Sequence, residues 1–211
     1  MSNTMTIDPD GRKNIDGASV AELTEMANQY LRQDDLGNAY PHLALLAERQ
    51  DHLPETSVTA GLVALTLRRA EEARFHFERA IQISPRHYDA HYNLFLLFMV
   101  NGEYDEALRR LEVLIAMYPD KRDLYNDRAV VAMEKRDSRL AVESFSRALA
   151  IDPNHLQTCR HAIDYIVEQR LFADGTQLLD KLIENPRTTD STRKEIGRWR
   201  ERLDRYAGEL A

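Results

Sequence analysis

The sequence has a single cysteine, Cys159. No intramolecular disulfide can form, and nothing asks for an oxidising compartment. Glycine and proline are scarce, 8 and 7 of 211 residues. That leaves little room for long loops and favours helix. Long hydrophobic runs are missing too. The longest, Leu94 to Val100, falls far short of the roughly 20 residues that cross a bilayer. Glycine-rich phosphate loops are absent. Basic charge is in deficit: the net charge is −7, which repels phosphate and disfavours a nucleic-acid partner. Residues 1–17 are polar and lack the apolar segment of a secretory signal; they read as a disordered tail. Together these absences predict a cytoplasmic protein with no membrane insertion and no nucleic acid among its partners.

What is present is a repeat. Pro85, Pro119 and Pro153 recur at intervals of 34 residues. Proline lacks an amide donor and clashes inside a helix, so each marks a helix end. Ala73, Phe77 and Ala80 before Pro85 return as Ala141, Phe145 and Ala148 before Pro153, with Ala107, Leu111 and Leu114 between. Four- and three-residue steps place such residues on one helix face. The frame extends to five units starting at Val20, Pro54, Tyr88, Arg122 and Leu156. Units two and four pair a large helix-two residue (Phe77, Phe145) with small helix-one residues (Gly61 and Ala64, Ala129 and Ala132). The other units reverse the sizes, with Tyr30, Phe95 and Phe98, and Ile163 and Ile166 on helix one, a volume exchange within one core layer.

These strings, with Asn101-Gly-Glu-Tyr-Asp-Glu-Ala107 between two helices, resemble the tetratricopeptide repeat family, whose period is about 34 residues. The resemblance covers Val20 to Pro186. It implies an all-α, right-handed α-solenoid of about five antiparallel helix hairpins over residues 18–189, with a capping helix over 190–211. The family's tryptophan position holds Leu23, Ser57, His91, Tyr125 and Cys159 instead. On the last helix Ile196, Trp199, Leu203 and Tyr206 form one stripe among many arginines. It reads as an end cap, and alternatively as a basic docking helix that its interleaved Glu195, Glu201 and Asp204 weaken.

Chemistry is hard to find. His87 and His91 lie four apart, but zinc needs three or four ligands, and the pair reads as structural histidines on the repeat surface. His155 and His161, six apart, share no helix face. Cys159 reads as a core or semi-buried thiol. No catalytic, metal or cofactor site is expected, and the chain is not read as an enzyme. The family resemblance instead implies peptide binding along the concave face lined by the first helix of each unit. Carried over, the groove positions are Leu62, Leu65, Tyr92, Asn93, Leu96, Met99, Asn126, Asp127, Val130, Met133, Arg160 and Asp164. Asn93 and Asn126 stand without flanking cations, so the family's carboxylate clamp is not implied. The apolar members suit an amphipathic helix or apolar segment. The predicted function is a protein-binding scaffold, adaptor or chaperone-like protein whose partner is another protein or peptide. The alternative is a self-associating, homo-oligomeric assembly factor of a membrane, secretion or other multiprotein machine.

Overall fold

A computed structural model describes residues 15–50 and 52–209. Most of the tail expected to be disordered lies outside the described residues. Eleven helices are found among those described, and no strand. They are α1 (Val20–Arg32), α2 (Leu36–Arg49), α3 (Pro54–Thr66), α4 (Ala70–Ile83), α5 (Tyr88–Val100), α6 (Tyr104–Met117), α7 (Arg122–Glu134), α8 (Ser138–Ile151), α9 (Leu156–Glu168), α10 (Phe172–Glu184) and α11 (Asp190–Glu209). The fold is all-α, and the odd-numbered helices α1 to α9 begin at 34-residue intervals. Above the level of the five repeats, the chain divides into two compact parts, unit one up to Gly102 and unit two from Glu103, with the boundary in the turn that follows α5.

The turns inside the hairpins show how the frame is built. Asp34, Arg68, Gly102, Arg136 and Arg170, again 34 apart, all have positive φ, between 57° and 74°. Four of them close the same helix-ending motif. The amides of Asp34, Arg68, Arg136 and Arg170 donate to the carbonyls of Leu31, Leu65, Met133 and Val167. The next amides, of Asp35, Arg69, Asp137 and Leu171, reach back to Tyr30, Ala64, Ala132 and Ile166 at 2.9 Å. Carbonyls orphaned at the helix end are thereby satisfied. Asp35 and Asp137 then cap the following helix through their carboxylates, accepting from the amides of Asn38 and Leu140. The first helix has a reciprocal box, in which Ser19 Oγ accepts from the Glu22 amide and the Glu22 carboxylate accepts from the Ser19 amide. That hydrogen bonding holds the Glu22 carboxyl below its ordinary pKa.

Between hairpins, prolines are followed by histidine or lysine caps. His87 Nδ1 and His155 Nδ1 accept from the amides of Ala90 and Thr158. The degenerate tryptophan position is buried in every repeat: Leu23, Ser57, His91, Tyr125 and Cys159 are all 5% exposed or less. Two of these side chains do one job. Tyr125 Oη donates to the Pro119 carbonyl and His91 Nε2 to that of Pro85, both at 3.0 Å. Each ties its helix to the turn six residues upstream. His91 is therefore structural but in the core, not on the repeat surface as its spacing implied. Burial pushes the Cys159 thiol up to about 12, which removes it from thiolate chemistry.

The volume exchange is visible in unit one. A Cβ at Gly61 would come within 2.6 Å of the Phe77 ring, so the glycine makes room for the phenylalanine. In unit two Ala129, Ala132 and Phe145 share one core with Cys159, Ile163, Ile166, Ile196 and Leu203. Arg128 is also buried there. Its Nε donates to Ser144 Oγ at 2.9 Å, its other nitrogens pair with Glu112 and Glu143, and it lies over the Tyr125 ring. It ties α6, α7 and α8 together.

Two arginines attach the last helix to α10. Arg193 donates to the carbonyls of Ile183 and Asn185 at the end of α10, where cations are favoured. Arg200 pairs with Asp180 and Asp204, and Arg198 with Glu195. Ile196 and Leu203 are sealed in the core. A Cβ at Gly175 of α10 would meet Ile166 at 2.7 Å and Leu203 at 2.8 Å, so glycine is what lets α10 seat between α9 and α11.

Candidate protein-binding faces

In unit one, α3 and α5 pack directly on each other. Leu62 and Leu96 occupy the same repeat position and remain 42% and 38% exposed. Leu65 and Met99, one turn further along, are half-buried. Tyr92 stacks on Tyr88 with ring centroids 5.6 Å apart and leans on Phe95 at 5.5 Å, which holds its ring still. Asn93 turns its amide nitrogen onto its own helix, donating to the Asp89 carbonyl at 2.8 Å. The face is apolar, with one fixed aromatic at its edge. A smaller cleft of about 240 Å³ lies between α1, α2 and α3, lined by Asn28, Leu31, Gln50 and Thr59 among others.

In unit two the expected residues separate into two clefts. Asn126, Val130 and Met133 line one of about 520 Å³, with Phe145, His155, Thr158 and His161. Its polar end is a chain of bonds: Thr158 Oγ1 donates to Asn126 Oδ1 at 3.2 Å and meets His155 Nδ1 at 2.8 Å. His155 and His161 thus share a cleft although they share no helix face. His155 is the cap of α9 and lies outside its periodicity. Asp127 is half-buried and does not line this cleft.

Arg160 and Asp164 belong to the second cleft, of about 510 Å³, between α9 and α11. Its floor is Ile163, Val167 and Leu203, and its rim adds Glu168, Trp199, Arg202 and Tyr206. Arg202 donates to Tyr206 Oη through Nη2 at 3.0 Å and lies over that ring. This hydrogen bond, with the Asp164 carboxylate as a lesser influence, raises the Arg202 pKa further. Sequence reading missed the α11 side of this cleft. The signal was present in the alternation of the stripe, where aliphatic Ile196 and Leu203 are buried while polar-tipped Trp199 and Tyr206 are only half-buried.

No cluster of three or more histidine, cysteine, aspartate or glutamate residues suited to a metal occurs among the described residues. No described helix is long and apolar enough to cross a membrane.

Comparison with known proteins agrees with this architecture. A tetratricopeptide repeat profile matches residues 64–127, and a second matches residues 123–155. The chain is 28% identical over 124 residues to the human protein O-mannosyl-transferase TMTC3, a stretch that is 58% of this chain but only 14% of TMTC3. MamA from Desulfovibrio magneticus RS-1 (residue 41 to its end) superposes with a TM-score of 0.63 at 20% identity, over 82% of this chain and 98% of that one. YrrB, described as a tetratricopeptide repeat protein with an unusual peptide-binding site, superposes with a TM-score of 0.59 at 17% identity, over 79% and 86% of the two chains. With helix starts and left-handed turns both recurring every 34 residues, the chain carries tetratricopeptide repeats, matched by profile over residues 64–155.

Proposed function

We propose that this protein is an adaptor or chaperone-like scaffold that captures an apolar or amphipathic segment of another protein on the first-helix faces of its repeats. Tetratricopeptide repeats are protein–protein interaction scaffolds, and the repeat profiles place the chain among them. The observation that supports the finer reading is the exposure of Leu62 and Leu96 on adjacent helices α3 and α5. Leucines left in water at equivalent repeat positions form a contiguous apolar patch, the usual mark of an interaction surface. The fixed ring of Tyr92 beside them supplies an aromatic anchor at low entropic cost. YrrB, of the same fold, is described as having a peptide-binding site. We assign no catalytic role: the transferase name belongs to a relative of which the matching stretch is 14%, and the lone thiol is buried. A cytoplasmic site of action belongs to the same reading.

The test is affinity capture from the native cell with the full chain as bait. Leu62→Asp combined with Leu96→Asp changes exposed side chains only, so helicity and melting temperature should hold. Recovery of the native partner should fall about tenfold or more. Undiminished recovery by the folded double variant would sink the reading.

A further inference from the structure

We propose that the cleft between α9 and α11 docks an amphipathic helix of a partner protein that carries an acidic and a basic residue two turns apart. The proposal rests on the scaffold reading and sharpens it by naming what one face accepts.

The charges carry the argument. Two of the cleft's four charged groups offset each other: Arg202 is bonded to Tyr206 and feels the Asp164 carboxylate as a lesser influence. Arg160 and Glu168 are different. Both line the cleft, and neither has a hydrogen bond or ion pair among the described residues. They stand eight residues apart on α9, two turns or about 12 Å along its axis. Glu168 is also badly placed for its own helix. α9 has no acidic residue in its first turn and no basic residue in its last. Glu168, its final residue, faces the negative end of the helix dipole, where a cation is preferred. A ligand with an acidic group at the Arg160 end and a basic group at the Glu168 end would compensate both.

Between these ends, beside the exposed Asp164, lies an apolar strip, with Val167 and Trp199 half-buried over Ile163 and Leu203. A helix presents charge, apolar stripe and charge along one face at this spacing. Nucleic acid is disfavoured because Asp164 and Glu168 repel phosphate. A uniformly acidic or basic peptide meets a like charge at one end. A second copy's α11 does not fit either. Its outward residues, Lys194, Arg198, Glu201 and Arg205, are exposed and polar and offer no apolar stripe.

Three synthetic stapled helices, sharing one leucine stripe, test this by fluorescence anisotropy with the full chain. Their end residues are Glu and Lys, Glu and Glu, or Lys and Lys, two turns apart. The Glu/Lys helix should bind about fivefold more tightly than either of the others, a surface-pair effect. Arg160→Glu should move the preference to the Lys/Lys helix, and Glu168→Lys to the Glu/Glu helix. Trp199→Ala should weaken all three. Equal affinity for the three helices, no binding of any, or a ranking unmoved by both charge reversals would overturn the proposal. Binding that ignores the charge reversals but disappears in the Leu62→Asp, Leu96→Asp variant would overturn it while leaving the scaffold reading standing.

Discussion

Four of the five left-handed turn positions carry a side chain where glycine is the residue free of strain. Asp34, Arg68, Arg136 and Arg170 sit at φ between 57° and 60°, a region that costs a residue with a Cβ about 1–2 kcal/mol. Arg136 and Arg170 are exposed. Changing either to glycine should stabilise the protein by about 0.5–1 kcal/mol after allowing for the added freedom of the unfolded chain. A urea midpoint that stays put or falls would contradict this. His76 makes a second residue-scale prediction. It is 3% exposed, its Nε2 meets Tyr40 Oη at 3.2 Å, and its Nδ1 is buried without a partner. Burial lowers its pKa, with Arg79 acting the same way and Glu48 and Glu72 opposing. The folded state therefore binds this proton less readily than the unfolded chain, whose histidine titrates near 6.5. Stability is fully present above about 6.5 and is lost as pH falls from there through the lowered folded value. Unfolding free energy measured at pH 7.5 and 5.5 should drop on acidification, and His76→Gln should shrink that drop. An equal drop in the variant would exclude His76 as its source.

At the scale of the element, the α3–α4 hairpin is a volume problem solved by one small residue. Gly61 in the interior of α3 forgoes about 0.5–1 kcal/mol of helix propensity relative to alanine. The Phe77 ring takes the space a Cβ would need. Gly61→Ala should cost about 1–3 kcal/mol through overpacking. In a Phe77→Leu background the same change should cost less than about 1 kcal/mol. A double-mutant cycle by thermal melt measures the coupling, and strictly additive losses would exclude the volume exchange. The small helix-one and large helix-two residues were legible in the sequence because both obey helical spacing. The buried Arg128 was not. Its position on α7 looks like any arginine at a helix surface, and only Ser144, Glu112 and Glu143 on α8 and α6 make it a core residue.

For the whole molecule, repeat proteins hold together through neighbouring contacts, so damage should stay local. Gly175→Ala would push into Ile166 and Leu203, both in unit two. Hydrogen exchange should speed up across α9, α10 and α11 and remain unchanged across α1 to α4. Acceleration spread evenly over all helices would show that the chain unfolds as one cooperative body.

The 34-residue frame, the helix starts and the all-α class were written in the sequence, because proline, apolar spacing and turn residues act on backbone hydrogen bonds within a few positions. Packing at the degenerate tryptophan position was not legible in residue types as different as Leu23, Ser57 and Cys159; they are buried because the repeat position is buried. Tertiary structure alone decided that Asn126 and Arg160 line different clefts, that His155 and His161 line the same one, and that Trp199 faces α9. Those outcomes depend on which side chains distant helices bring together, and spacing along one helix carries no record of its neighbour.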